Sequence, residues 1–136
     1  MGATLPDEAD KWADRLQERV NGGPFAEAAG DFEATFRFEI LPDDAYIGDP
    51  VALTVVVADG ACVAARGFDR DAGYDFALRG PYTVWKDLLE DEVELTAAVM
   101  GGPLDLDGST IKLMQHREAV TELVRAARAV DTDYAY

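Results

Sequence analysis

The chain has 136 residues, enough to bury a core without a metal or a disulfide framework, and a single domain over residues 1–136 is the expectation. It carries 27 Asp plus Glu against 12 Lys plus Arg, a net charge of −15, with one histidine and one cysteine. That balance leaves no basic stripe to release counterions from nucleic acid or an anionic membrane surface, and the lone Cys62 excludes an intrachain disulfide.

Taken in chain order, Thr4 followed by Pro6 and Asp7 reads as a helix start close to a capping box. Leu5, Ala9, Trp12, Ala13, Leu16 and Val20 then share one helical face as far as Asn21, Gly22 and Gly23. From Asp31 the period changes to two, with Phe32, Ala34, Phe36 and Phe38 alternating with Glu33, Thr35, Arg37 and Glu39. This predicts a half-buried strand, broken by Pro42. Pro50 opens a second strand over Val51 to Ala58, Asp59 and Gly60 form a two-residue hairpin turn, and Ala61 to Arg66 return antiparallel. A mobile loop is expected from Gly67 to Gly73.

Tyr74, Phe76 and Leu78 alternate with Asp75, Ala77 and Arg79 in a further strand, ended by Gly80 and Pro81. Tyr82, Trp85, Leu88 and Leu89 recur at helical spacing, and a second helix from Leu95 to Met100 is stopped by Gly101, Gly102 and Pro103. Leu104 and Leu106 alternate with Asp105 and Asp107 in a short strand, Gly108 turns the chain, and Ser109 caps a long terminal helix. On that helix Leu113, His116, Val120, Leu123, Val124 and Ala127 share a face. The order predicts an α+β fold, a mixed five-stranded sheet with helices packed on one face and the other face open. A cystatin-like cone fits less well, because it begins with more helix than this chain offers.

Chemistry is sparse. His116 is the sole histidine, which excludes a His-based metal cluster and leaves any Ser-His or Cys-His pair dependent on it. At the edge of an apolar helix face it reads as a hydrogen-bonded edge residue or as a polar hook for a ligand. Cys62 among apolar strand residues reads as a buried, inert thiol. Acidic pairs such as Asp43 with Asp44, Asp105 with Asp107, and Asp131 with Asp133 read as solvated surface on so acidic a chain. Gly101 to Pro103 lacks the lysine and serine of a phosphate loop. No catalytic residue, metal or cofactor is expected. There is no run of about 18 apolar residues and the N-terminus is acidic, so the expectation is a cytoplasmic protein without stable membrane insertion.

The pattern F-x-L at Phe76 and Leu78, W-x-x-L at Trp85 and Leu88, A-x-M-x-G-x-L-x-x-x-G from Ala98 to Gly108, and K-L-M from Lys112 to Met114 resembles the sterol carrier protein 2 (SCP-2) family. Trp12 and Leu16 ahead of a run of strands match that family's opening helix and sheet, while Asp133 to Tyr136 does not match the Ser-Lys-Leu type of peroxisomal address that some carriers bear. The resemblance implies a soluble carrier of apolar ligands, fatty acyl, isoprenoid or sterol-like, held in a hydrophobic tunnel between sheet and helices. Carried onto this chain, the residues implied for that tunnel are Phe76, Trp85, Leu88, Met100, Leu104 and Met114, with Phe36 and Leu113 as further candidates for ligand contact. His116 or Arg79 would stand at its mouth, and the methionines would supply an adaptable wall. The alternative is an accessory domain serving a partner enzyme.

Aspartate-rich, lysine-poor composition also resembles that of salt-in halophiles. Self-repulsion of the surface is screened as the Debye length falls from about 10 Å at 0.1 M to about 3 Å at 1 M salt. The thermal midpoint should therefore rise between 0.1 M and 2 M KCl by more than that of a near-neutral control protein, as read by circular dichroism.

Overall fold

A computed structural model describes residues 3–5, 7–30, 32–67 and 73–134. Strand β1 (Ala3–Leu5) pairs in parallel with Thr132–Tyr134 near the other end of the chain. This corrects the expectation that Thr4 starts a helix. Its backbone N–H instead donates to Glu8 Oε1 at 3.0 Å, and the first helix, α1 (Ala9–Asn21), begins after Glu8. The apolar stripe of α1 buries Ala9, Trp12, Ala13, Leu16 and Val20, as its spacing predicts. A short helix, α2 (Phe25–Ala29), follows; it was too brief to leave a period in the sequence.

Alternation along β2 (Ala34–Leu41) turns Phe36, Phe38 and Ile40 toward the helices and leaves Arg37 and Glu39 on the far face. β3 (Val51–Ala58) and β4 (Ala61–Gly67) form the expected hairpin. Asp59 and Gly60 both adopt positive φ at its turn, 54° and 75°, the geometry that matches strand twist. β5 (Phe76–Pro81) pairs in parallel with β2, and β6 (Asp105–Asp107) pairs antiparallel with β5. The sheet order is β4-β3-β2-β5-β6, a mixed five-stranded sheet in an α+β fold. Residues 68–72, most of the predicted loop, lie outside the described residues.

Helix α3 (Tyr82–Leu89) follows β5 directly, and α4 (Leu95–Met100) ends where Gly102 adopts φ +97°. The terminal helix is not continuous. Ser109 caps α5 (Thr110–Gln115) by accepting from the Lys112 N–H, but the backbone leaves helical values at His116, and α6 (Arg117–Ala129) starts afresh. The His116 ring, at the break, stacks on Phe32 just ahead of β2, 4.4 Å between centroids and 21° between planes. Finally β7 (Thr132–Tyr134) closes on β1.

Helix α1 lies across β4 so closely that a Cβ on Gly67 would collide with the backbone of Ala9 and Asp10. Backbone cannot yield as a side chain can. Gly67→Ala should therefore lower stability by about 1–3 kcal/mol or more, seen as a lower urea midpoint with an unchanged slope.

Candidate ligand cavity

Between the inner face of the sheet and the helical layer lies a narrow cavity of about 70 Å³, within a cleft that spans about 830 Å³ when its solvent-open margin is included. Its floor is set by the period-two strands: Phe36, Phe38 and Ile40 of β2, Leu53 of β3, and Phe76 and Leu78 of β5, with Leu106 of β6 at the edge. Its roof is set by the helices. Trp12 and Leu16 come from α1, Trp85, Leu88 and Leu89 from α3, Leu95 from α4, Leu113 from α5, and Val120, Leu123, Val124 and Ala127 from α6. Leu5 of β1 completes the wall. Eight lining residues, Phe38, Leu89, Leu95, Leu106, Leu113, Val120, Val124 and Ala127, are only half-buried, and the contributions of α4, β6 and α5 are all of this kind.

The rings in the floor form a connected cluster. Phe36 stacks on Phe38 at 5.9 Å and on Phe76 at 5.4 Å, and Phe38 meets the edge of Trp85 at 5.7 Å. Both indoles bordering the cavity turn their N–H groups away from it: Trp12 Nε1 donates to Thr132 Oγ1 and Trp85 Nε1 to the Glu39 carbonyl, each at 2.8 Å. Every side chain on the wall is hydrocarbon or aromatic.

Of the residues implied from the sequence, Phe36, Phe76, Trp85, Leu88 and Leu113 come together on this wall. Met100, Leu104, Met114 and His116 stand elsewhere. Met100 is 79% exposed and Met114 64% exposed. On α4 the buried Ala98 faces inward, and Met100, two residues on, falls on the opposite side of so short a helix. On α5, Leu113 points in and carries its neighbour Met114 out. Leu104 is fully buried, but it packs over Gly80, where a Cβ would strike its Cδ2. His116 is held by Phe32. Arg79 lies on the far face of the sheet, its Nε 2.8 Å from Glu39 Oε2, so it does not reach the cavity mouth. The period-two partners Phe38 and Leu78, and the helical partners Val120 and Leu123, were missed as wall residues. The same alternation that exposed Phe36 and Phe76 as inward-facing marks them too.

Among the described residues no group of three His, Cys, Asp or Glu side chains could hold a metal ion, and no helix is long and apolar enough to cross a membrane. The arrangement can exclude water and bury hydrocarbon.

The SCP-2 sterol transfer family matches residues 5–121. The chain belongs to that family. A sterol carrier protein 2 crystal structure superposes on this SCP-2 chain with a TM-score of 0.80 at 30% identity, covering 89% of this chain and 96% of that one. A conserved hypothetical protein of Thermus thermophilus gives a TM-score of 0.79 at 28% identity, over 90% of this chain and 88% of its own. The inverting sec-alkylsulfatase Pisa1 from Pseudomonas sp. shares the fold at 18% identity and a TM-score of 0.55, over 79% of this chain but only 15% of the enzyme. The SCP-2 fold thus also occurs as a small part of a much larger enzyme. No curated protein sequence matches.

The thiol of this SCP-2 chain sits beneath the sheet's edge. Cys62 is buried, its backbone carbonyl accepts from Gln17 and Asn21, and burial pushes its thiol up to about 11 from 9.0. Only the thiolate reacts, so at pH 8 alkylation of the native protein by iodoacetamide should run at least about a hundredfold slower than that of the urea-unfolded chain.

Proposed function

We propose that this SCP-2 family chain is a carrier that binds apolar molecules, of fatty acyl, isoprenoid or sterol-like kind, by reversible burial between sheet and helices, with no bond made or broken. The observation that carries this reading is the uninterrupted hydrocarbon lining of a cavity whose wall residues from α4, α5 and β6 are all partly open to solvent.

The cavity's width sets a condition on the cargo. Drug-sized ligands occupy about 300–1,000 Å³, so the enclosed 70 Å³ has to widen. On the scale of about 24 cal/mol per Å³ of apolar void, reaching the lower bound costs about 5.5 kcal/mol, which transfer of about seven methylenes at about 0.8 kcal/mol each offsets. Short chains therefore bind poorly and long ones well. α5 is the part of the wall best suited to yield. None of its residues is buried, and it is bounded by Gly108, at φ +133°, and the break at His116.

Native mass spectrometry of protein purified without detergent should show bound apolar ligand, and the neutral polyene diphenylhexatriene should fluoresce on binding. Leu113→Trp, which fills the mouth from a half-buried position, should cut probe binding at least about tenfold while thermal melting stays cooperative. No bound ligand together with no probe fluorescence would sink the carrier reading.

A further inference from the structure

We propose that the cavity selects electrically neutral ligands, such as long-chain or isoprenoid alcohols, esters and hydrocarbons, over fatty-acid carboxylates of the same length. The inference rests on the carrier reading and narrows its substrate class.

A carboxylate taken into the cavity would lose its water and find no replacement. The lining offers no hydroxyl, amide or cation, and the indole N–H groups of Trp12 and Trp85 are already spent on Thr132 and Glu39. An ion without such partners is costly to bury. Nor, among the described residues, do the arginines nearest the sheet and helices stand behind the wall. Arg37 and Arg79 lie on the far face of the sheet, where both pair with Glu39. Arg128, at the end of α6, is committed to the carbonyls of Leu88 and Val93 and to Asp91.

The remaining course for a fatty acid is to leave its head group in water at the mouth. There the field opposes it. The segment 90–118, which carries α4, β6 and α5, holds seven carboxylates against two cations, Lys112 and Arg117, in a chain of net charge −15. Both cations are exposed, where a flexible, hydrated pair contributes little. A neutral head group escapes the field. An alcohol or ester also costs far less to desolvate than an ion. The connected faces of Phe36, Phe38, Phe76 and Trp85 add a surface suited to unsaturated chains.

The test is competition against bound diphenylhexatriene at pH 8, with 1-hexadecanol and palmitate as matched competitors. In low salt hexadecanol should displace the probe at concentrations at least about tenfold lower than palmitate. At about 1 M KCl the gap should narrow as the field is screened, yet persist because desolvation remains. Glu94→Lys, an exposed change beside the cavity residue Leu95, should improve palmitate competition about threefold or more in low salt and leave hexadecanol unchanged. Palmitate competing as well as hexadecanol overturns the selectivity and leaves the carrier reading standing. A gap unmoved by both salt and Glu94→Lys overturns the field. Failure of the parent protein to bind the probe removes the carrier reading and this inference with it.

Discussion

Phe36 and Phe76 face each other across the parallel β2–β5 pairing, and their stacked rings form the centre of the cavity floor. The remaining strands extend the sheet on either side of this pair. β3 and β4 add on one side as an antiparallel hairpin, β6 on the other, and each delivers its apolar alternate to the same face. A slip of one residue between β2 and β5 would turn Arg37 and Glu39 toward the helices and send the phenylalanines into water. On the far face the cross-strand ion pair of Arg79 with Glu39 matches the same register.

The helical cover is secured from its ends more than from its middle. Arg128 donates to the Leu88 and Val93 carbonyls, tying the last turn of α6 to the exit of α3, and the adjoining β7 is tied to β1. Trp12 joins both devices, since its ring lines the cavity while its N–H holds Thr132 of β7. Between these anchors α5 contributes one side chain, Leu113, to the wall. The fold thus combines a fixed floor with a cover whose thinnest part lies over the opening.

Much of this was legible in the sequence because side-chain period and burial share a cause. Phe36 and Phe76 point inward for the reason they alternate with charged neighbours, and Asp59 with Gly60 turns the hairpin because these residues tolerate positive φ. The order of elements and the SCP-2 resemblance implied a mixed five-stranded sheet with helices on one face, while the strand order came only with the structure. What escaped notice depends on partners distant in sequence. Ala3 to Leu5 is too short to show alternation, and its strand character comes from Thr132 to Tyr134 at the far end of the chain. The apolar stripe from Leu113 to Ala127 reads as one helix because its spacing is continuous. The interruption falls at His116, whose ring stacks on Phe32, a partner distant in sequence. Met100 and Met114 satisfied the motif, yet a motif records which residues recur and not which way a helix of six residues turns them.

The parallel pairing of β1 with β7 also gives the molecule a particular response to mechanical load. Tension drawn between Ala3 and Tyr134 pulls the two strands along their length in opposite directions, so their ladder has to slide as a unit and cannot be peeled open one rung at a time. A tug on the chain's extremities is thereby resisted at the clasp before it reaches α6, and the space beneath that helix is shielded from strain transmitted along the backbone.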